Sequence, residues 1–479
     1  MYTLPKDTIE KGKITNVILN DVIEYNEKYK DRYNKLELYY LGKHDICSRT
    51  KDDSLKNNKV MVNHAKYITD TNVGYLLGNP VDYQVGKDEN GKYLYDIDPI
   101  LDAYKKQTIN DLDSEIAKDV SIFGLQYEYV YANGDAEPRS CEVDNRNAII
   151  VYDDTVEHNK LFGLIYRPIY KGETFDYWEI IYVDKKEKRT YKSYSKSLQQ
   201  VGKTESHAFG DVPLILYKNN PEFLGDYEPV ISLIDAYNLL QSDRVNDKEQ
   251  LVDAILCMYG MDFDDEQAEM LKTSRMLANI PADGKVEYLI KTLQEGDVDI
   301  LRQNLENDIH KISMVPNMSD ENFVGNSSGV AIRYKLLAFE QNIKNKERYM
   351  EKGLMERFKL YNNFLVTKSK MSEVPIEEID AVFKRNLPSN DFEISQMINN
   401  LADYVDAETL ISQLSFIKDA SEIVEAKKKE DEAKPKSPYD LAFENNQVGD
   451  ANTNGNQAQE NVGESMENNK DIVDDTLEN

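Results

Sequence analysis

PVISLIDAYNLLQSDRVNDKEQLVDAILCM, residues 229–258, sets the architecture of this chain. Ile231, Ile234, Tyr237 and Leu240 recur at helical spacing, and Leu251, Val252, Ile255 and Leu256 do so at the other end, so the pattern predicts one long helix. Its middle, QSDRVNDKEQ (241–250), is almost wholly polar. A helix polar around its middle is expected to bridge solvent rather than pack in a globule. A turn at Pro221–Gly225 precedes it, and short mixed structure over 259–296 follows, with turns at Gly260, Pro281 and Gly284. A second helix is predicted over 297–314, with Ile300, Leu301, Leu305, Ile309 and Ile312 on one face and Pro316 as its stop.

The next stretch, NMSDENFVGNSSG (317–329), has no periodicity, and Ser327 and Ser328 are good caps for the helix after it. That helix passes through Ala331, Tyr334, Leu337, Ala338, Met350, Leu354, Phe358 and Tyr361. Its predicted length is roughly 38 residues, about 57 Å. A single-domain core is not expected to cover that whole length. Pro388, Ser389 and Asn390 open a last helical block that runs to about residue 430, with Asp406 as a helix start. Beyond Glu430 the chain is dominated by Asn, Gln, Glu, Asp and Gly, and no aromatic follows Phe443. Such a segment buries too little apolar surface to offset its ordering entropy, so a disordered acidic tail is expected.

Upstream of 229 the pattern is mixed. Ile14, Val17, Ile18, Val22 and Ile23 predict a helix, as do Tyr33, Leu36, Tyr39 and Tyr40 before Gly42. A third helix is predicted from about Asn63 through Ile68, Val73 and Leu76 to the stop Leu-Gly-Asn-Pro at 77–80. Another, from about 113, carries Ile116, Val120 and Phe123 and ends at Gly124, after which Tyr127, Tyr129 and Tyr131 alternate as in a strand. Residues 141–218 read as a small, mostly antiparallel sheet, with AIIVY (148–152), LFGLIYRPIY (161–170), DYWEIIYV (176–183) and TYKSY (190–194) as strands. The fold class is α+β and predominantly helical.

Lys and Arg number 58 against 87 Asp and Glu, a formal net charge of −29, which argues against gripping nucleic acid or an anionic membrane by bulk charge. No apolar run approaches the ~18 residues of a membrane helix, and MYTLPKDTIEKGKI has charges where a signal peptide needs apolar residues. Cys47, Cys141 and Cys257 are too scattered for a disulfide framework, so a reducing compartment is expected. His44 and Cys47 lie three apart without a second pair, which is not a zinc pattern. Asp262, Asp264, Asp265 and Glu266 could serve a divalent-metal nuclease. The plainer reading is a cap for the short helix EQAEMLK and solvated charge. No GxSxG, Walker-type or GxGxxG loop occurs. No catalytic residue, metal ligand or cofactor is expected.

The order of elements is distinctive, and five stretches carry it: NKVMVNHAKYITDTNVGYLLGNPVDY (58–83), SIFGLQYEYVY (121–131), EFLGDYEPVISLIDAYNLLQSDRVNDKEQLVDAIL (222–256), ISMVPNMSDENFVGNSSGVAIRYKLLAFE (312–340) and LPSNDFEISQMINNLADYVDAETLISQLSFI (387–417). In their order and spacing they resemble the portal proteins of tailed bacteriophages, in the family found in long-tailed phages of Gram-positive bacteria. The resemblance covers about 20–430 and implies a homo-oligomeric ring of twelve subunits at one capsid vertex. Double-stranded DNA enters and leaves through its channel without sequence specificity. It implies a wing (1–228), a first stem helix (229–258), a clip (259–296) and a second stem helix (297–316). A tunnel loop (317–327), a spine helix with the rest of the wing (328–387), a crown (388–430) and an acidic tail (431–479) follow.

Under the same resemblance, Asn317, Met318, Ser319, Asp320, Glu321, Asn322, Phe323, Val324, Gly325 and Asn326 would face DNA in the tunnel loop. Asp243, Asn246, Asp247, Gln250, Asn304, Asp308 and Lys311 are the stem candidates for the channel lining. Asp262, Asp264, Asp265 and Glu266 would lie in the clip, which meets the motor and the connector. The implied partners are the terminase large subunit, a head-completion or connector protein, and the scaffolding and major capsid proteins, with no membrane. The implied location is the virion, after assembly in the host cytoplasm. Charge agrees with this reading. In 229–258, Asp235, Asp243, Asp247, Glu249 and Asp253 outnumber Arg244 and Lys248. An acidic wall repels phosphates and keeps a duplex centred. The plain alternative is that these charges follow the acidity of the whole chain. Competing functions are a non-channel capsid scaffold or adaptor and the nuclease named above.

Overall fold

Two strands and four short helices open the chain: β1 (Tyr2–Leu4), α1 (Asp7–Glu10), α2 (Asn16–Glu27), α3 (Lys30–Tyr40), α4 (His64–Leu77) and β2 (Asp82–Val85), then α5 (Asp98–Lys105). The computed structural model describes residues 2–10, 14–52, 56–89, 92–194, 197–252, 255–259, 269, 284–289, 295–318, 334–385, 391–412, 414, 417 and 420–433. The caps explain the early boundaries. Thr15 accepts the Ile18 N–H at the start of α2, and Asn63 accepts the Lys66 N–H at the start of α4. The three helices predicted here are present; β1, β2 and α5 were not expected from the pattern.

Helix α6 (Ile109–Phe123) ends on Gly124, whose φ of +85° is the left-handed region open to glycine. A side chain there would also strike the Phe223 carbonyl, since a Cβ would stand 2.1 Å from its oxygen. Eight strands follow: β3 (Leu125–Ala132), β4 (Pro138–Val143), β5 (Ala148–Asp153), β6 (Lys160–Lys171), β7 (Thr174–Val183), β8 (Glu187–Ser193), β9 (Leu198–Ser206) and β10 (Leu214–Lys218). They form a six-stranded sheet, β1-β5-β6-β7-β8-β9, and a three-stranded sheet, β10-β3-β4. Every pairing is antiparallel except β1 with β5. Alternation along β5 serves both faces of the large sheet. Ile149 and Val151 pack under Leu19 and Val22 of α2. Ala148 and Ile150 pack against Leu125, Tyr127 and Leu214 of the small sheet.

The remainder of the larger unit is α7 (Ile231–Val252), β11 (Ile255–Tyr259), β12 (Lys285–Leu289), α8 (Glu295–Ser313), α9 (Leu337–Thr367) and β13 (Ile379–Val382), which pairs with β2. The helix expected through Met258 thus stops at Val252, and Ile255–Tyr259 is a strand paired antiparallel with Lys285–Leu289. A short apolar run reads equally as helix or strand by periodicity, and a partner strand decides it. Among the described residues no helix is long and apolar enough to cross a membrane.

Helix α9 has 31 residues, and one core does cover its length. Phe339, Ile343, Met350, Leu354, Phe358, Tyr361, Phe364 and Leu365 are all buried in the main cluster with α3–α6 and the start of α7. The expectation that no single core could span it failed because two cations lie on the buried face. The Lys346 ammonium pairs with Asp226 and bonds to Asn219. The Arg357 guanidinium, fully buried, donates to Asp113 at 2.6 Å and Glu128 at 2.7 Å. Asp226 also accepts from Ser121 (2.6 Å), Asn72 (2.8 Å) and Asn219 (2.7 Å). Gly353 makes room for the Tyr217 ring of β10, which would stand 2.2 Å from a Cβ.

The chain divides into two compact units, Met1–Pro388 and Ser389–Asn479. The second contains α10 (Asp391–Leu401), α11 (Ala407–Ile411) and α12 (Ala420–Ala433). Asp406 caps α11 as expected, accepting the Thr409 N–H at 2.9 Å. Helix α12 runs past Glu430 to Ala433, so the composition break at 430 is not the end of regular structure.

Removing Lys346 strands a buried carboxylate. Lys346→Met is expected to destabilise the protein by about 3 kcal/mol, and adding Asp226→Asn should recover part of that loss. Urea unfolding midpoints of the two variants check this; equal midpoints for Lys346→Met and the natural chain would refute it.

Candidate functional site

Helices α7 and α8 form an antiparallel hairpin. Arg244 meets Asp299 at 3.5 Å and Lys248 meets Glu295 at 2.8 Å, so the partner number falls as the α7 number rises. Arg302 adds Asp299 (2.9 Å) and Glu306 (2.7 Å) on α8 itself. The hydrogen bond from Lys248 holds Glu295 below its ordinary pKa, and that from Arg302 does so for Asp299. Part of the hairpin's acidity is therefore neutralised inside one chain.

The polar middle of α7 does not bridge solvent. Asn238, Ser242 and Asn246 are buried on one face, one helical turn apart. They accept from the extended segment 58–62: Val62 N–H to Asn238 Oδ1 at 2.8 Å, Val60 N–H to Ser242 Oγ at 3.0 Å, and Asn58 N–H to Asn246 Oδ1 at 2.7 Å. The two periods match. Four helical residues rise about 6 Å and two extended residues about 6.6 Å. Every second backbone donor of the strap thus meets a side-chain acceptor, where it would otherwise be buried and unpaired. Asn238 also donates to His44 Nδ1 at 2.9 Å, while His44 Nε2–H donates to the Tyr39 carbonyl at 2.9 Å. Both His44 nitrogens are occupied, so it has none to offer a metal with Cys47.

The stem candidates fall into two groups. Asn246 is spent on the strap. Asp243 takes Arg49 at 2.7 Å and Lys51 at 3.0 Å; burial pushes its pKa up, but these bonds outweigh it and hold it below the usual value. Asp247 is half-buried, and the Gln250 side chain lies outside the described residues. Asn304, Asp308 and Lys311 are exposed along one side of α8. The apolar face predicted for α8 splits: Ile309 is buried and Leu305 packs on the core, but Ile300, Leu301 and Ile312 are exposed, as are Met314, Leu239 and Val245.

At the end of α8 the chain turns through Met314, at φ +58°, and buries Val315. Tyr67 Oη donates to the Pro316 carbonyl at 2.8 Å and accepts the Met318 N–H at 3.1 Å. Asn317 Nδ2 donates to Glu306 at 3.1 Å, and His310 Nδ1–H to the Val315 carbonyl at 3.0 Å. His64 stands beside His310 and edge-on to Tyr237, with its Nε2 buried and unpartnered. Burial first, and the neighbouring His310 second, push His64 down to about 4. Of the predicted loop, Asn317 and Met318 are placed. Ser319, Asp320, Glu321, Asn322, Phe323, Val324, Gly325 and Asn326 lie outside the described residues, as do Asp262, Asp264, Asp265 and Glu266.

With this geometry in place, the chain can be set beside known proteins. The profile of the family "Phage portal protein, SPP1 Gp6-like" matches residues 19–436. The chain belongs to that family. The portal protein of Bacillus phage SPP1 is 24% identical over 422 residues, covering 80% of each chain. The portal protein of Clostridium phage phiCD119 is 22% identical over 227 residues, covering 46% of this chain and 48% of that one. A chain of the solved structure titled "Neck of empty GTA particle computed with C6 symmetry" aligns over 72% of this chain and 87% of that one, at 11% identity and a TM-score of 0.42. That last likeness is too loose to carry an argument. Membership of the portal family makes this a bacteriophage protein of a structural family. The strap ladder and Tyr67 were not singled out as functional residues from the sequence; the one signal was Asn-x3-Ser-x3-Asn on one face of an otherwise ordinary helix.

Two outcomes follow from this site. Asn246→Ala leaves the Asn58 N–H without its acceptor and should cost about 1–3 kcal/mol, whereas Asp308→Ala, exposed, should stay within about 0.5 kcal/mol. Denaturant titration separates them, and equal effects would refute the ladder. His64 has a folded pKa below its unfolded value, so its contribution is complete above pH 6.5 and is lost as pH falls towards about 4. Relative to His64→Gln, the natural chain should lose up to about 3 kcal/mol across that window. A constant difference between the two chains from pH 7 to 4 counts against it.

Proposed function

We propose that this chain is the protomer of a portal ring at one capsid vertex, and that double-stranded DNA passes through the ring during packaging and ejection. Membership of the portal family over residues 19–436 carries the reading. In it, the α7–α8 hairpin is the stem, the segment between its helices is the clip that meets the terminase motor and the connector, and 319–326 is the DNA-facing part of the tunnel loop. The unit from Ser389 is the crown. The chain has no catalytic role of its own, and hydrolysis of ATP belongs to the motor. Scaffolding and major capsid proteins surround the ring in the virion.

Two properties of the hairpin support this. Ile300, Leu301, Ile312, Leu239 and Val245 are exposed in the single chain, on helices otherwise rich in charge. Apolar side chains set on a charged surface suit contact between neighbouring copies in a closed ring. The hairpin also keeps more acidic than basic groups after its internal pairs are counted, with Asp308 exposed beside Asn304. A wall of that sign does not trap phosphates, as Lys or Arg contacts would.

The purified chain should form rings with a central hole, at about twelve times the 55.2 kDa chain mass, seen by light scattering and negative-stain imaging. Ile300→Asp with Leu301→Asp should yield folded monomers. Compact dimers or tetramers without a hole would overturn the ring and favour a scaffold or adaptor. Deleting 319–326 should leave rings intact and abolish DNA packaging; filled, infectious heads from that variant would refute the loop assignment.

A further inference from the structure

The segment that leaves α8 is held residue by residue. Val315 is buried, with its carbonyl on His310. Asn317 is tied to Glu306. Both of these partners belong to α8, so they hold the segment only to its own helix. Pro316 and Met318 are different, because the single hydroxyl of Tyr67 serves both. It donates to the carbonyl of Pro316, a residue with no N–H of its own, and it accepts the N–H of Met318. Tyr67 lies on α4, whose preceding strap is bonded to α7 through Asn238, Ser242 and Asn246. One continuous stretch, 58–67, therefore touches both helices of the hairpin and the segment that follows it.

We propose that Tyr67 is a positioning residue: its hydroxyl pins Pro316–Met318 to α4, so the DNA-facing loop begins after Met318 and its root is held in register with the body of the subunit. This rests on the tunnel-loop reading above. Asn317 and Met318 are then root and not loop, and a pull on the loop is delivered to α4 and through the strap to α7. The ring of Tyr67 packs edge-on to His310 and is untouched by loss of the oxygen. Tyr67→Phe is thus a clean probe, since it keeps the packing and removes a donor and an acceptor together.

The test compares Tyr67→Phe with the natural chain as assembled full-length rings. Hydrogen exchange of the peptide covering 314–318 should quicken by about tenfold or more at Met318, with 231–245 unchanged. Ring formation and the thermal midpoint should be nearly unaltered, while DNA packaged per head falls several-fold. Unchanged exchange at Met318 overturns the pin. Faster exchange with normal packaging, in a system where the 319–326 deletion abolishes packaging, overturns the positioning role and leaves the loop reading standing. Normal packaging in the deletion itself overturns the loop reading, and the functional part of this proposal falls with it.

Discussion

The buried pair between Lys346 and Asp226 is the contact on which the larger unit depends. Desolvating two charges costs several kcal/mol each, and such a pair survives only where hydrogen bonds satisfy what remains. Here they do. Asp226 collects Ser121 of α6, Asn72 of α4 and Asn219 at the end of β10, along with the lysine of α9. Four separate parts of the chain therefore converge on one carboxylate, five residues before α7 begins. The hairpin grows from that point, and its base takes its position from this knot.

Arg357 does the same work one helix-length away. Its guanidinium joins Asp113 of α6 to Glu128 of β3, and Tyr217 of β10 donates to the same glutamate at 2.6 Å. Together the two cations make α9 a buried axis instead of an exposed spine. Polar chemistry fixes the packing here, and the apolar residues fill the space between. The strap on α7 repeats that logic at smaller scale. Three short polar side chains, spaced by one turn each, meet alternate amides of an extended segment. Residues that look available for a channel are partly consumed in holding the stem together, and the exposed side of α8 is what remains to face a partner.

Much of the fold was legible. The helices around Val22, Leu36 and Ile68 show in their spacing, Gly124 marks a boundary because only its backbone tolerates that turn and that approach, and the β run from Ala148 shows in its branched and aromatic residues. The hairpin's end was misread because Ile255 and Leu256 continue a helical spacing, although they pair with Lys285–Leu289. Helix α9 was misjudged because Lys346 and Arg357 count as solvent-facing in any periodicity argument; their partners are more than a hundred residues away. The candidate site was read more weakly. Asp243 and Asn246 were picked for polarity on a helix, and polarity alone does not distinguish a side chain facing a channel from one facing a strap.

Sequence alone determined the order of elements, the α+β class, the acidic balance and the family, since each rests on local spacing, composition or similarity along the chain. Tertiary structure alone decided which polar groups are spent internally. A hydrogen bond or ion pair needs its partner within about 3 Å, and no local pattern reports that Asn58 lies on Asn246, that Asp226 lies on Lys346, or that Tyr67 lies under Pro316.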